Sequence, residues 1–322
     1  MTKRVWHLVC WFLIAALILP GCAAVAAPQE NHSPLRVEWT NWEGDYTILI
    51  AKEKGFFEKN GVEVEPVFYE TFTNALTDIT VNRIDAGLFA INDLISASRL
   101  GDVTAVAVYD SGGSSTVVAR SEIRTVLDLR GKRIGVTMNS YNEMFVRQML
   151  LETGVSVKDV TLVDVPPEDI PDRLSDDLDA GYVWAPYDDV AVKNGHKVLF
   201  SSESFASLSP DVIVFRDEIL EERPEDVRAF LKAWFEAAEY RLAHPEECNL
   251  IIAEKTNQTI EDVALSGSVQ IYIQQDNLAL FDKAAANTIY HIADVNMQFL
   301  VNQGQVTTAP KIDEILDPSF LQ

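Results

Sequence analysis

The chain has 322 residues, 48% of them hydrophobic and 9% aromatic, enough for one large or two medium packed domains. Its formal charge of −23 excludes nucleic acid as a partner, because that binding rests on Lys and Arg neutralising phosphates, and it points to a solvated acidic surface. Three cysteines (Cys10, Cys22, Cys248) give no disulfide framework, and histidines at 7, 32, 196, 244 and 291 show no metal-ligand spacing. No nucleophile elbow, Walker loop or His-Glu-x-x-His motif is present.

Lys3 and Arg4 followed by the apolar run Val5 to Leu19 read as an export signal too short to span a bilayer. Leu19-Pro20-Gly21-Cys22 resembles the bacterial lipobox, in which the cysteine becomes the lipidated first residue. A plain signal peptide cut within Ala24–Ala27 is the other reading. Residues 1–22 are therefore expected to be a lipoprotein signal peptide and 23–34 a flexible tether.

Leu35, Val37 and Trp39 alternate with Arg36 and Glu38, which predicts a strand with one face more buried. A polar, aromatic turn follows over residues 40–45, with Asp45 as N-cap of a helix from about Tyr46 to Lys54. Gly55 is placed to end that helix in the left-handed conformation, and Val62 and Val64 mark the next strand. A strand–helix–strand unit implies parallel strands with a right-handed crossover. Ligands of such sheets sit beyond the carboxyl ends of the strands, which places Trp39, Asn41, Trp42, Glu43 and Tyr46 at the mouth of a site.

A helix is predicted over 73–82 and a buried strand over 86–91, with Asn92-Asp93 capping the next helix. The strand at 103–109 runs into Asp110-Ser111-Gly112-Gly113-Ser114-Ser115, either a plain turn or a nest of backbone N–H groups facing a ligand. Residues 116–120 read as an extended crossover into a second lobe. There strands at 133–136, 160–165, 179–183 and 197–200 alternate with helices at 141–152, 167–174 and up to Gly195. Asp211 to Phe215 reads as the return crossover, and the pattern is helical from Pro224, including 259–268 and 282–300. The expected division is 35–117 plus 215–322 for the first lobe and 118–214 for the second.

Several stretches carry a family resemblance. The Trp-ended first strand, Glu53-Lys54-Gly55-Phe56-Phe57-Glu58-Lys59-Asn60-Gly61-Val62-Glu63-Val64-Glu65 and the Asp85-Ala86-Gly87 segment resemble the periplasmic solute-binding proteins of ABC importers. The nearest group is the nitrate/sulfonate/taurine class and its relatives for thiamine pyrimidine precursors. Asp128–Val136 resembles the family's second-lobe entry, and Asn139-Ser140 its small polar pair. Asp179-Ala180 through Trp184-Ala185-Pro186 resembles its "DA-x-x-x-W-x-P" signature. The resemblance implies a two-lobed α/β periplasmic-binding-protein fold (type II), each lobe a sheet flanked by helices, joined by two extended crossovers that close on a ligand. It further implies a small organic ligand, ABC permease and ATPase partners, no cofactor, no metal and no catalysis. A monomer held to the membrane by its lipid anchor is expected.

The candidate ligand-binding residues are Trp39, Asn41, Trp42, Glu43, Tyr46, Asn92, Asp93, Asp110, Gly113, Ser114, Asn139, Ser140, Tyr141, Trp184 and Tyr187. Each has a plain structural alternative: core for Trp184, loop packing for Trp42 and Tyr46, helix caps for Ser140, Asn92 and Asp93, solvated acids for Glu43 and Asp110. Cys248 reads as an isolated thiol. Glu43, Asp93 and Asp110 with no Lys or Arg in the same turns favour a ligand with donor or cationic character as well as an acceptor end. The main rival is an enzyme of the same fold that makes the thiamine pyrimidine with a histidine and an iron site. A sensor half of a signalling protein is the other.

Overall fold

A computed structural model of the chain describes residues 33–113, 115–201, 210–285, 288–304, 306 and 310–322. The expected leader, its Cys22, all but the last two tether residues and Ser114 lie outside the described residues. The first strands are β1 (Leu35–Trp39), β2 (Val64–Phe68), β3 (Ala86–Ala90) and β4 (Val103–Gly112). Then come β5 (Thr116–Ala119), β6 (Arg133–Val136), β7 (Thr161–Asp164), β8 (Ala180–Val183) and β9 (Lys197–Ser201). Last are β10 (Asp211–Arg216) and β11 (Val269–Ile271). They form two sheets, ordered β11-β4-β10-β3-β1-β2 and β7-β6-β8-β5-β9. At one end of each sheet, β2-β1-β3 and β7-β6-β8 run parallel, as crossover helices require. β5 and β10, the two stretches read as crossovers, are antiparallel members of the second and first sheet.

Helices α1 (Thr47–Glu53), α2 (Phe56–Asn60), α3 (Phe72–Thr80) and α4 (Ile91–Ala97) belong to the first sheet's opening half. Helices α5 (Tyr141–Glu152), α6 (Ile170–Arg173) and α7 (Tyr187–Lys193) follow strands of the second sheet. The rest are α8 (Asp217–Glu222), α9 (Pro224–Ala243), α10 (Pro245–Thr256), α11 (Ile260–Val263), α12 (Gln274–Leu280) and α13 (Ile289–Asn302). The apolar face read in α9 is core: Val227, Phe230, Leu231 and Trp234 are buried. Phe230 stacks on Phe57 at 5.4 Å and meets Phe215 edge-on, while Trp234 meets Tyr109 at 5.6 Å. Among the described residues no helix is long and apolar enough to cross a membrane.

Local expectations fail where tertiary contacts outvote the sequence. Asp45 does not cap α1; Tyr46 holds that position, and the Asp45 carboxylate turns inward instead. Gly55 does end α1 with φ +71°, but a short helix, α2, follows and delays the strand to Val64. Ala90, not Asn92 or Asp93, is the N-cap of α4. The helix expected over 259–268 shrinks to α11, β11 follows it, and the helix expected from 282 begins at Ile289. Glu38, assigned by alternation to the more exposed face, is fully buried because β1 is an inner strand. Its Oε2 accepts from Leu88 N at 2.9 Å, and burial raises its carboxyl well above the ordinary range.

Candidate functional site

The carboxyl end of β1 turns at Thr40, whose N–H and hydroxyl both donate to Asp45 Oδ2 at 2.8 Å. Tyr109, near the end of β4, donates its hydroxyl to Asp45 Oδ1 at 2.8 Å. Two short approaches set the next layer. Trp42 donates Nε1–H to Asp110 Oδ2 at 2.7 Å, and its ring lies so close to Gly113 (φ +84°) that a Cβ there would sit 2.0 Å from it. Gly44 gives Asp110 the same kind of room, since a Cβ would stand 1.5 Å from Asp110 Oδ2. Asp211, the first residue of β10, pairs with Asp110 in the sheet and brings its carboxyl beside it.

These residues back a cavity between the two sheets of about 560 Å³, counting its open mouth. Its first-sheet wall carries the carboxyls of Asp45, Asp93 and Asp211, with Asp110 directly behind. Aromatic rings supply the rest: Trp42, Phe72 and Tyr109 from one side, Tyr141, Tyr182 and Trp184 from the other. Phe72 and Trp184 meet edge-on at 5.7 Å across the gap. The second-sheet wall also presents Asn142 Nδ2 and Trp184 Nε1, buried donors with no partner among the described residues.

Burial dominates the electrostatics. It raises the carboxyls of Asp45 and Asp110, against the hydrogen bonds of Thr40, Tyr109, Asp211 and Trp42, and carries Asp93 up to about 7. Asp211 is raised as well, because burial is joined by the neighbouring Asp110 charge. The counter-charge sits outside the cavity lining. Arg241 of α9 is buried, donates Nη1–H to Glu43 O at 2.6 Å and to Thr47 Oγ1 at 3.3 Å, and faces Glu43 and Asp110.

Of the residues singled out from sequence, Trp42, Asp93, Tyr141 and Trp184 line this cavity, and Asp110 stands one layer behind it. The others take structural roles. Glu43 is buried and accepts from Ser266 N at 2.5 Å; Tyr46 donates to Asn41 O, and Gln258 ties Asn41 to Tyr46. Trp39 packs on Phe68 at 4.7 Å, Tyr187 hydrogen-bonds Asn41, and Asn92 donates to Met144 Sδ and Asn296 Oδ1. Ser140 is the N-cap of α5, accepting from Asn142 N, and Asn139 donates its N–H to Glu143. The Gly113 N–H goes to Ser268 O, so it does not join a ligand-facing nest. Cys248 is buried. Asp45, Asp211, Phe72, Asn142 and Tyr182 were missed; an acid opening the otherwise apolar Asp211–Phe215 run was the available signal.

The family model described as NMT1/THI5 like matches residues 45–248, more than half of the chain. The chain belongs to the NMT1/THI5-like family. A protein of Bacillus subtilis (strain 168), provisionally named for aliphatic sulfonate binding, is 27% identical over 246 residues, covering 73% of this chain and 74% of that protein. The taurine-binding periplasmic protein of Escherichia coli (strain K12) is 34% identical over 139 residues, covering 42% and 43%. Among solved structures, the alkanesulfonate-binding protein SsuA from Xanthomonas axonopodis pv. citri, bound to MOPS, superposes with a TM-score of 0.73 at 16% identity, covering 89% of this chain and 98% of that one. The two sheets with their flanking helices are thus the lobes of the two-lobed periplasmic-binding-protein fold. Among the described residues of this NMT1/THI5-like chain, no group of three or more His, Cys, Asp or Glu is arranged to hold a metal ion.

Proposed function

We propose that the protein is the extracytoplasmic ligand-capturing component of an ABC importer, and that its ligand carries a protonated amine or several N–H donors on a flat apolar body. Relatives named for sulfonate and taurine binding support the solute-binding part. The observation that carries the ligand class is the wall of Asp45, Asp93 and Asp211, faced by six aromatic rings with no Lys or Arg in the lining. A cation held over aromatic faces and against carboxylates gains from both, and more where water is excluded. A bare nitrate or alkanesulfonate finds no cation there and meets like charge once Asp45 and Asp93 are ionised. The unpartnered Asn142 Nδ2 and Trp184 Nε1 suit an acceptor end on the same ligand. Capture brings the two lobes together about the two passages between the sheets, one between β4 and β5 and one between β9 and β10 rather than at residues 117 and 214. The enzyme reading loses ground because the relatives compared above are named as binding proteins.

A thermal-shift panel at matched ionic strength tests this: nitrate, sulfate, ethanesulfonate, taurine and aminopyrimidines. Amine-bearing compounds should raise the melting temperature by mass action and nitrate should not. Stabilisation by nitrate or ethanesulfonate alone would refute the ligand class.

Leu19-Pro20-Gly21-Cys22 supports a lipid anchor on Cys22 that keeps the protein, with its permease and ATPase, at the membrane. Mass spectrometry of the native protein should find a lipid-modified Cys22 as first residue. A soluble form beginning near Ala27 would contradict the anchor.

A further inference from the structure

Two carboxylates cross between the lobes, and each lands on a helix start of the other lobe. Asp93, from α4 beside the first sheet, accepts from Tyr141 N at the first residue of α5, at 2.9 Å. Glu168, from the turn before α6 beside the second sheet, lies against Phe72, the first residue of α3, whose backbone partly offsets the rise that burial gives its carboxyl. A helix start is the usual place for an anion, because unsatisfied N–H groups and the helix dipole converge there. At α5 two of those donors are already taken. Asp93 accepts from Tyr141 N, and Ser140 Oγ accepts from Asn142 N. Asp93 is buried and lines the cavity, so its carboxylate stands between α5 and whatever enters.

We propose that Asp93 is a specificity-determining residue of this cavity: an anion built into the protein that fills the start of α5 from the opposite lobe and excludes external anions from it. The proposal rests on ligand capture between the lobes, as set out above, and adds the residue that selects against simple anions. An alkanesulfonate has to displace Asp93 or sit beside it, and Asp45 and Asp211 on the same wall leave no cation to offset the second charge. The amine end of a ligand meets no such obstacle. Glu168 makes the reciprocal approach at α3 but does not line the cavity, which leaves the α5 start as the discriminating one.

The test uses ethanesulfonate, which has no amine, titrated into the wild type, Asp93→Ala and Asp93→Asn at pH 8 and constant ionic strength. Asp93→Ala frees the helix start and removes the charge, and should bind ethanesulfonate at least about tenfold tighter than the wild type. Asp93→Asn keeps the side chain's shape and one acceptor oxygen, so it guards against misfolding and should show a smaller gain. Wild-type protein that binds ethanesulfonate as tightly as either folded variant would overturn the proposal, and this arm needs no particular variant to fold. Variants no better than a non-binding wild type would overturn it equally. The wild-type response to taurine and aminopyrimidines reports separately on the proposed function, so a silent amine panel with a tenfold gain in Asp93→Ala refutes that reading and leaves this one standing.

Discussion

Raising the pH from 5 to 8 should destabilise the ligand-free protein by on the order of several kcal/mol, the reverse of ordinary acid-labile behaviour. Burial holds Asp93 and Glu168 at about 7, and raises Asp45, Asp110, Asp211 and Glu38 as well. Unfolded, these groups titrate at ordinary carboxyl values near 4. Between that value and about 7 the native state holds protons that the unfolded state has released. The slope of stability against pH is therefore negative across this window. Above about 7 the loss from Asp93 and Glu168 is complete. Groups with lowered values, such as Asp85 beside Arg36 and Arg216, act oppositely and lose their contribution only as pH falls below the ordinary carboxyl range. Urea denaturation at pH 5 and pH 8 measures the difference. Equal or greater stability at pH 8 would mean that the acid wall is ionised at little cost.

The second large effect is expected at Arg241. Its guanidinium is buried beside Glu43 and Asp110, and its Nη1 carries the bonds to Glu43 O and Thr47 Oγ1. Replacement by Met fills similar volume but leaves the neighbouring acids without their cation. Removing one partner of a buried charge arrangement costs about 3–5 kcal/mol, because the other is left uncompensated. Arg241→Met should lose that much in urea denaturation, and adding Glu43→Gln should recover part of it. A loss under about 1 kcal/mol, or a double variant worse than the sum of its parts, would show that Arg241 acts only through packing.

The frame of this molecule was legible in its sequence because strands and helices of α/β lobes repeat short, strong signals. Alternation at Leu35–Trp39, the Gly55 stop and the Ser140 cap each depend on neighbours a few residues away. The acid wall was not legible, because it is assembled from distant points of the chain. Asp45 sits where a cap belongs, and only the structure turns it toward Thr40 and Tyr109. Asp211 opens a stretch that reads as a return crossover, yet its pairing with Asp110 puts it on the cavity. Glu38 followed a correct alternation to a wrong face, since alternation cannot tell an inner strand from an edge. β11 has three residues, too few for a period of two to register.

By the function proposed above, this cavity selects an amine-bearing ligand by means of carboxyls rather than an anion by means of cations. The most direct measurement is mass spectrometry of the small molecules released when protein purified from its native host, without refolding, is denatured. A stoichiometric compound with a basic nitrogen or an aminopyrimidine-like set of N–H donors is the predicted result. Stoichiometric nitrate, sulfate or an amine-free sulfonate would contradict it.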